Sequence, residues 1–173
     1  LGDCVLSSRV RLARNLVGFA FVNRSSPEQL ADIVHRVQSV RLGGPFEGGA
    51  RWVNVQGTSP ADRLLLFERN LISRPFVEAT HPRCAAISAD ESTSVMVNEE
   101  DHLRIQGIRS GLQLRNVFKM VDKVDTALGE KLDFAFHHQY GFLTACPTNV
   151  GTGMRASAMM HLPGLVLGEQ INQ

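Results

Sequence analysis

The apolar positions of this chain change period several times, and each change predicts an element. Residues 5–15 open as a strand-like run in which Arg9, Arg11 and Arg14 are interleaved with Val10 and Leu12. In an extended chain Arg9 and Arg11 share one face. Ser26-Pro27-Glu28-Gln29 predicts a helix start, with Ser26 as cap, Pro27 in the first turn and Gln29 closing a capping box. Leu30, Ile33, Val34, Val37 and Val40 then form its buried stripe. Residues 43–49, with four glycines and a proline, predict a loop. Ser59-Pro60 starts a second helix whose apolar contacts are expected from Leu64, Leu65, Phe67 and Leu71.

The period then shortens. Residues 84–88 and 94–97 are β-like runs around the polar turn Asp90-Glu91-Ser92, which predicts a hairpin. Helical spacing returns over 107–128 through Leu112, Val117, Met120, Val121, Val124 and Leu128, predicting the longest helix. Residues 132–138 and 141–146 are expected strands, followed by a glycine-bearing loop and an apolar run over 154–162. Strands and helices mix without regular alternation, so the expected class is α+β, a mainly antiparallel sheet flanked by helices. No internal repeat is present.

Composition narrows the partners. The chain has 173 residues, 43% of them apolar, and a net charge of +1. That size suits one domain. So small a charge gives no broad cationic field for nucleic acid, and no run approaches the roughly 20 apolar residues that span a bilayer. Neither partner is expected. The basic side is lopsided: 15 of its 18 residues are arginine, the side chain suited to bidentate grips on phosphate and carboxylate. Cys4, Cys84 and Cys146 have no metal-ligand spacing, and their odd number fits a reducing cytoplasm better than a disulfide framework. The chain starts at Leu1 without an initiator Met, and residues 165–173 supply no closing element, so both ends are expected to be cut.

Two segments carry candidate chemistry. Asn98-Glu99-Glu100-Asp101-His102-Leu103-Arg104 puts three consecutive acids after a β-like run, with an arginine three residues on. It is either a solvated turn or a carboxylate cluster that holds a cation. A guanidinium fits such a cluster, because its N–H fork matches a carboxylate and its high pKa requires proton loss to be coupled to reaction. The second segment, residues 144–155, runs from a strand through Cys146, Gly151 and Gly153 to Arg155. Its glycines would let backbone N–H groups approach an anion, and Cys146 is either a reactive thiol or a small buried residue. Arg9, Arg11, Arg104 and Arg155 are candidates to clamp a polyphosphate while Glu99 and Glu100 hold the acceptor, a division suited to phosphoryl transfer with Mg²⁺. His35, His81, His102, His137, His138 and His161 form no metal-binding arrangement and are expected to be structural or surface residues. His137 and His138 should point to opposite faces of a strand.

Three blocks, residues 7–15, 98–104 and 146–157, resemble in order the signature blocks of the phosphagen kinase superfamily. Residues 98–106 and 141–165 look most like its bacterial protein-arginine kinases. The resemblance implies a catalytic domain similar to the glutamine synthetase catalytic fold, here partial over 1–173. It also implies transfer of the ATP γ-phosphoryl group to arginine guanidinium groups in proteins. Arg9, Arg11, Arg104 and Arg155 match the arginines that bind nucleotide phosphates. Glu100 matches the carboxylate that aligns the guanidinium and acts as base, and Glu99 supports it. Cys146 matches the cysteine that positions the guanidino group without carrying phosphate. Implied partners are a stress-response repressor and components of a chaperone-protease system; the residues leave open whether the protein is a homodimer.

The sequence departs from that pattern in places. Asn70 stands where the family has a histidine beside the adenine, and Met159 where the animal enzymes have another nucleotide-contacting histidine. A further phosphate-binding arginine and a second substrate-clamping glutamate are expected beyond Gln173. Two alternatives share the same residues: a kinase for free arginine or another small guanidino compound, and a catalytically silent module that binds nucleotide or phosphoarginine.

Overall fold

Strand β1 (Val5–Arg14) is the longest strand of the sheet, and its alternation shows what each sheet face becomes. Val10 and Leu12 are buried against helices, whereas Arg9 and Arg11 point to the other side. In this computed structural model, which describes residues 4–78 and 80–168, the chain continues through α1 (Pro27–Gln38), β2 (Arg51–Asn54), α2 (Pro60–Glu68) and α3 (Arg74–Glu78). It then forms β3 (Cys84–Ile87), β4 (Thr93–Val97), β5 (Leu103–Ser110) and α4 (Leu114–Gly129). Two short strands, β6 (Phe136–His137) and β7 (Gly141–Phe142), precede β8 (Met154–Met160) and α5 (Pro163–Leu167).

The main sheet has six strands in the order β2-β3-β4-β5-β1-β8, with every neighbouring pair antiparallel. The α+β class with a mainly antiparallel sheet is therefore the fold. On one face, Val10, Leu12, Val95, Val97, Leu103 and Ile105 pack against Leu30, Ile33 and Val37 of α1 and Val117, Val121, Val124 and Leu128 of α4. On the other, Ala85, Ile87 and Met96 pack against Leu66, Leu71, Ile72 and Phe76. That second layer covers the β2–β4 half and leaves β5, β1 and β8 open.

Local signals explain several boundaries. Ser26 Oγ accepts from the Gln29 N–H while Gln29 Oε1 accepts from the Ser26 N–H, so the expected capping box starts α1. The expected hairpin is β3–β4, with Ile87 paired to Ser94. The apolar run over 154–162 is mostly β8, an edge strand.

Four expectations change. Residues 107–110 belong to β5, and the helix begins only at Leu114. Gly107 hides the alternation, because a residue without a side chain marks neither face. In the Leu64-Leu65-Leu66 run only Leu66 turns inward, and Leu64 and Leu65 are each 51% exposed; consecutive leucines leave the helical phase undefined. The expected strands over 132–138 and 141–146 shrink to β6 and β7, two residues each. Because β6 stops at His137, the His137 and His138 rings do not diverge: they lie 4.5 Å apart, and His137 also stacks on Tyr140. Residues 169–173, where an open C-terminal end was expected, lie outside the described residues.

At Gly107 the sheet and α4 approach closely. A Cβ there would lie 2.9 Å from Val121 Cγ1 and 3.1 Å from Val117 Cγ1. Gly107→Ala should push α4 outward and destabilise the fold by about 1–3 kcal/mol, measured as a lower urea midpoint with an unchanged slope. An unchanged midpoint would show that the contact is slack.

Candidate active site

Register brings the arginines together. β1 pairs Arg11 with Gln106 on one side and with Arg155 on the other, and places Ala13 opposite Arg104. Residues directly opposite one another share a face, so Arg9, Arg11, Arg104 and Arg155 emerge on the open half of the sheet. Arg11, Arg104 and Arg155 line one cleft together with Glu100 and Cys146. Arg9 opens instead into an adjoining recess of about 230 Å³, which Asn70 and Met159 also line. Both departures from the family pattern thus meet there, beside the fourth arginine.

The cluster is electrostatically strained. Burial pushes the Arg11 guanidinium down to about 10, helped by the charges of Arg9, Arg104 and Arg155 and opposed by Glu99. Arg11 remains cationic at neutral pH, and an anion placed among these groups would relieve their repulsion.

The turn between β4 and β5 supplies the carboxylates. Asn98 takes a left-handed conformation with φ of 61° and is pinned from below, its Nδ2 donating to the carbonyls of Leu30 and Pro82. The three consecutive acids then separate into three environments. The Glu99 side chain is 4% exposed; its Oε1 accepts from Arg104 Nη1 at 2.7 Å and from Ser73 Oγ at 2.6 Å. Its Oε2 accepts from the Glu100 backbone N–H at 2.9 Å. The Glu100 carboxylate is 46% exposed, faces the cleft and stands 3.4 Å from Arg104 Nη2.

Asp101 does not join the carboxylate cluster. It is buried, and its Oδ1 accepts from Asn15 Nδ2 at 2.6 Å and from the Ala145 N–H at 2.7 Å. It therefore ties the end of β1 to the loop that carries Cys146. His102 completes this tether. Its Nδ1 accepts from the Leu16 N–H, which places its own proton on Nε2, where it donates to the Ala20 carbonyl.

The loop after Cys146 is held from beneath by Arg14. This buried guanidinium donates to the Ala13 and Thr152 carbonyls, pairs with Asp125 at 2.8 Å and lies 3.6 Å from the centre of the Phe142 ring. Gly153, with φ of 63°, sits so close that a Cβ would fall 2.5 Å from the Ala13 oxygen. The N–H groups of Gly151 and Gly153 themselves donate to the Phe142 and Asn149 carbonyls. Cys146 is half-buried, with Sγ 3.0 Å from Thr148 Oγ1. Cys84 lies in the core, where burial pushes its thiol up to about 12, leaving Cys146 as the thiol of the cleft.

The sequence reading missed Ser73, Asn15 and Gln106. Ser73 and Asn15 join elements far apart in the chain through side-chain hydrogen bonds, which leave no periodic signal. Gln106 could have been found from its alternation with Ile105 once β5 was recognised as a strand.

The sequence matches the ATP:guanido phosphotransferase family, C-terminal catalytic domain, over residues 34–173, and the chain belongs to that family. It is 48% identical over 172 residues to the protein-arginine kinase of Symbiobacterium thermophilum, covering 97% of this chain and 48% of that protein. It is 44% identical over 173 residues to the protein-arginine kinase of Bacillus subtilis, covering 99% and 47%. The chain thus spans about half the length of these curated relatives. Among solved structures, the duplicated taurocyamine kinase from Schistosoma mansoni with bound transition state analog components superposes with a TM-score of 0.86 at 29% identity, covering 95% of this chain and 24% of that one. Lombricine kinase, at 20% identity, has a TM-score of 0.83 over 96% of this chain and 50% of its own, and shares the fold.

Burial holds His102 below its ordinary value near 6.5, against the opposing effects of the Ala20 carbonyl and Asp101. In the window below 6.5 the unfolded chain binds more protons than the folded one, so stability should fall on acidification through it. Urea midpoints at pH 7 and pH 5.5 test this: the midpoint should drop, and by less in His102→Gln. Equal drops in both proteins would remove His102 from the account.

Proposed function

We propose that the chain is part of the catalytic domain of an enzyme that transfers the ATP γ-phosphoryl group to arginine guanidinium groups in proteins. The observation that carries this reading is one cleft in which Arg11, Arg104 and Arg155 meet Glu100 and Cys146. The three cations suit the oxygens of a polyphosphate, and the half-exposed Glu100 carboxylate beside Arg104 suits a guanidinium. Arg9, in the adjoining recess, extends the cationic side. Relatives named protein-arginine kinase, at 42–48% identity, support a protein acceptor.

In the proposed step a guanidinium nitrogen forms the N–P bond as the bond from the γ-phosphorus to the β-phosphate oxygen breaks and ADP leaves. The guanidinium proton passes to Glu100, and the arginines stabilise charge on the transferred group. Glu99 holds Arg104 and the Glu100 backbone in register, and Cys146 orients the acceptor. Among the described residues no three His, Cys, Asp or Glu side chains gather into a metal cluster, and both cleft glutamates already face Arg104. A Mg²⁺ ion bound with the nucleotide would add charge neutralisation to that of the arginines.

Among the described residues no helix is long and apolar enough to cross a membrane. A cytoplasmic location belongs to the same proposal, as do arginine-bearing stress-response and chaperone-protease partners and assembly as a homodimer.

Full-length protein given ATP, Mg²⁺ and an arginine-bearing protein should yield acid-labile phosphoarginine, with free arginine a poor competitor. Glu100→Gln should lower kcat by roughly a hundredfold or more while changing nucleotide affinity little. Efficient use of free arginine would instead favour a small-molecule kinase. Nucleotide binding without any phosphoarginine would indicate a binding module.

A further inference from the structure

Ser73 stands between α2 and α3, flanked by the buried residues Leu71, Ile72 and Phe76. The segment around it is fastened to the sheet at three points. Gln106 Nε2 donates to the Asn70 carbonyl at 2.6 Å, Ser94 Oγ donates to the Leu71 carbonyl at 2.7 Å, and Ser73 Oγ donates to Glu99 Oε1 at 2.6 Å. The first contact lies at the recess beside Arg9 and the third at the carboxylates. The segment is therefore a strap along the border between the covered half of this sheet face and its open half.

Resting on the reading above, we propose that Ser73 is a positioning residue for phosphoryl transfer, acting through Glu99. Glu99 Oε1 accepts from both Ser73 and Arg104, and its Oε2 accepts from the Glu100 N–H. One carboxylate thus sets the spacing between a phosphate-side cation and the acceptor-side carboxylate. When a phosphate competes for Arg104, the Ser73 hydroxyl and the Glu100 amide are what keep Glu99 in place. Charge-assisted contacts of this length are the strong kind, and small misplacements at a reacting centre are costly.

Ser73 has a second, structural use, because its Oγ accepts weakly from the Phe76 N–H at 3.3 Å at the start of α3. The two uses differ in chemistry. Capping needs only a lone pair, which Asp also provides, whereas holding Glu99 needs a hydroxyl proton. Three variants of the full-length protein separate them, each checked by its thermal midpoint. Ser73→Ala should lower kcat about tenfold or more. Ser73→Asp keeps the cap but sets a second carboxylate against Glu99, so it should lose at least as much activity as Ser73→Ala while melting closer to wild type. Ser73→Thr keeps cap and donor and should restore kcat to within about threefold of wild type.

Wild-type kcat in Ser73→Ala or Ser73→Asp would overturn the proposal, as would a folded Ser73→Thr that is as slow as Ser73→Ala. If the wild-type protein itself forms no phosphoarginine, the functional reading fails instead, and the two failures are distinguishable.

Discussion

Four guanidinium groups on one face of a sheet repel one another, and the rest of this structure makes that arrangement hold. β-Pairing is the means. Once β5 and β8 flank β1 in the observed register, Arg11 must face Gln106 and Arg155, and Arg104 must emerge one pair along. The energy that keeps them there comes from the opposite face, where Val10, Leu12, Leu103 and Ile105 are buried against α1 and α4. Core packing on one side thereby maintains a cationic surface on the other. The lowered pKa of Arg11 records first its burial and then the nearness of Arg9, Arg104 and Arg155, and a polyanion would relieve that repulsion.

Carboxylates and tethers complete the arrangement. Glu99 neutralises part of the cluster from below, and Asp101 and Asn15 bind the end of β1 to the loop bearing Cys146. Arg14, paired with Asp125 and lying over Phe142, anchors the far end of that loop through the Thr152 carbonyl. Removing one member of a buried pair leaves the other charge uncompensated, so these contacts fix geometry more than they add stability. The cleft is consequently bordered by groups whose positions are set from two sides.

Much of this was legible in the sequence, for identifiable reasons. The capping box at Ser26 and the β3–β4 hairpin depend on local spacing, which the sequence records directly. That Arg9 and Arg11 share a face followed from the period of a strand. Their meeting with Arg104 and Arg155 did not, since it depends on which strands become neighbours. The three blocks supplied that link only through resemblance. Gly107 concealed β5 and so made Arg104 part of a turn when it lies on a strand. Asp101 was hidden by its neighbours: three adjacent acids look alike in sequence, yet a tight turn gives each a different burial. Ser73 sits 26 positions from Glu99, and no spacing rule joins them.

In the proposed polyphosphate site, strand register gathers the cations around Arg11. Calorimetric titration of the full-length protein with ATP, for wild type and Arg11→Gln at low and at moderate salt, tests it most directly. Affinity should weaken as salt rises and fall by about tenfold or more in the variant, with the fold intact. An Arg11→Gln protein that binds ATP as tightly as wild type would contradict it.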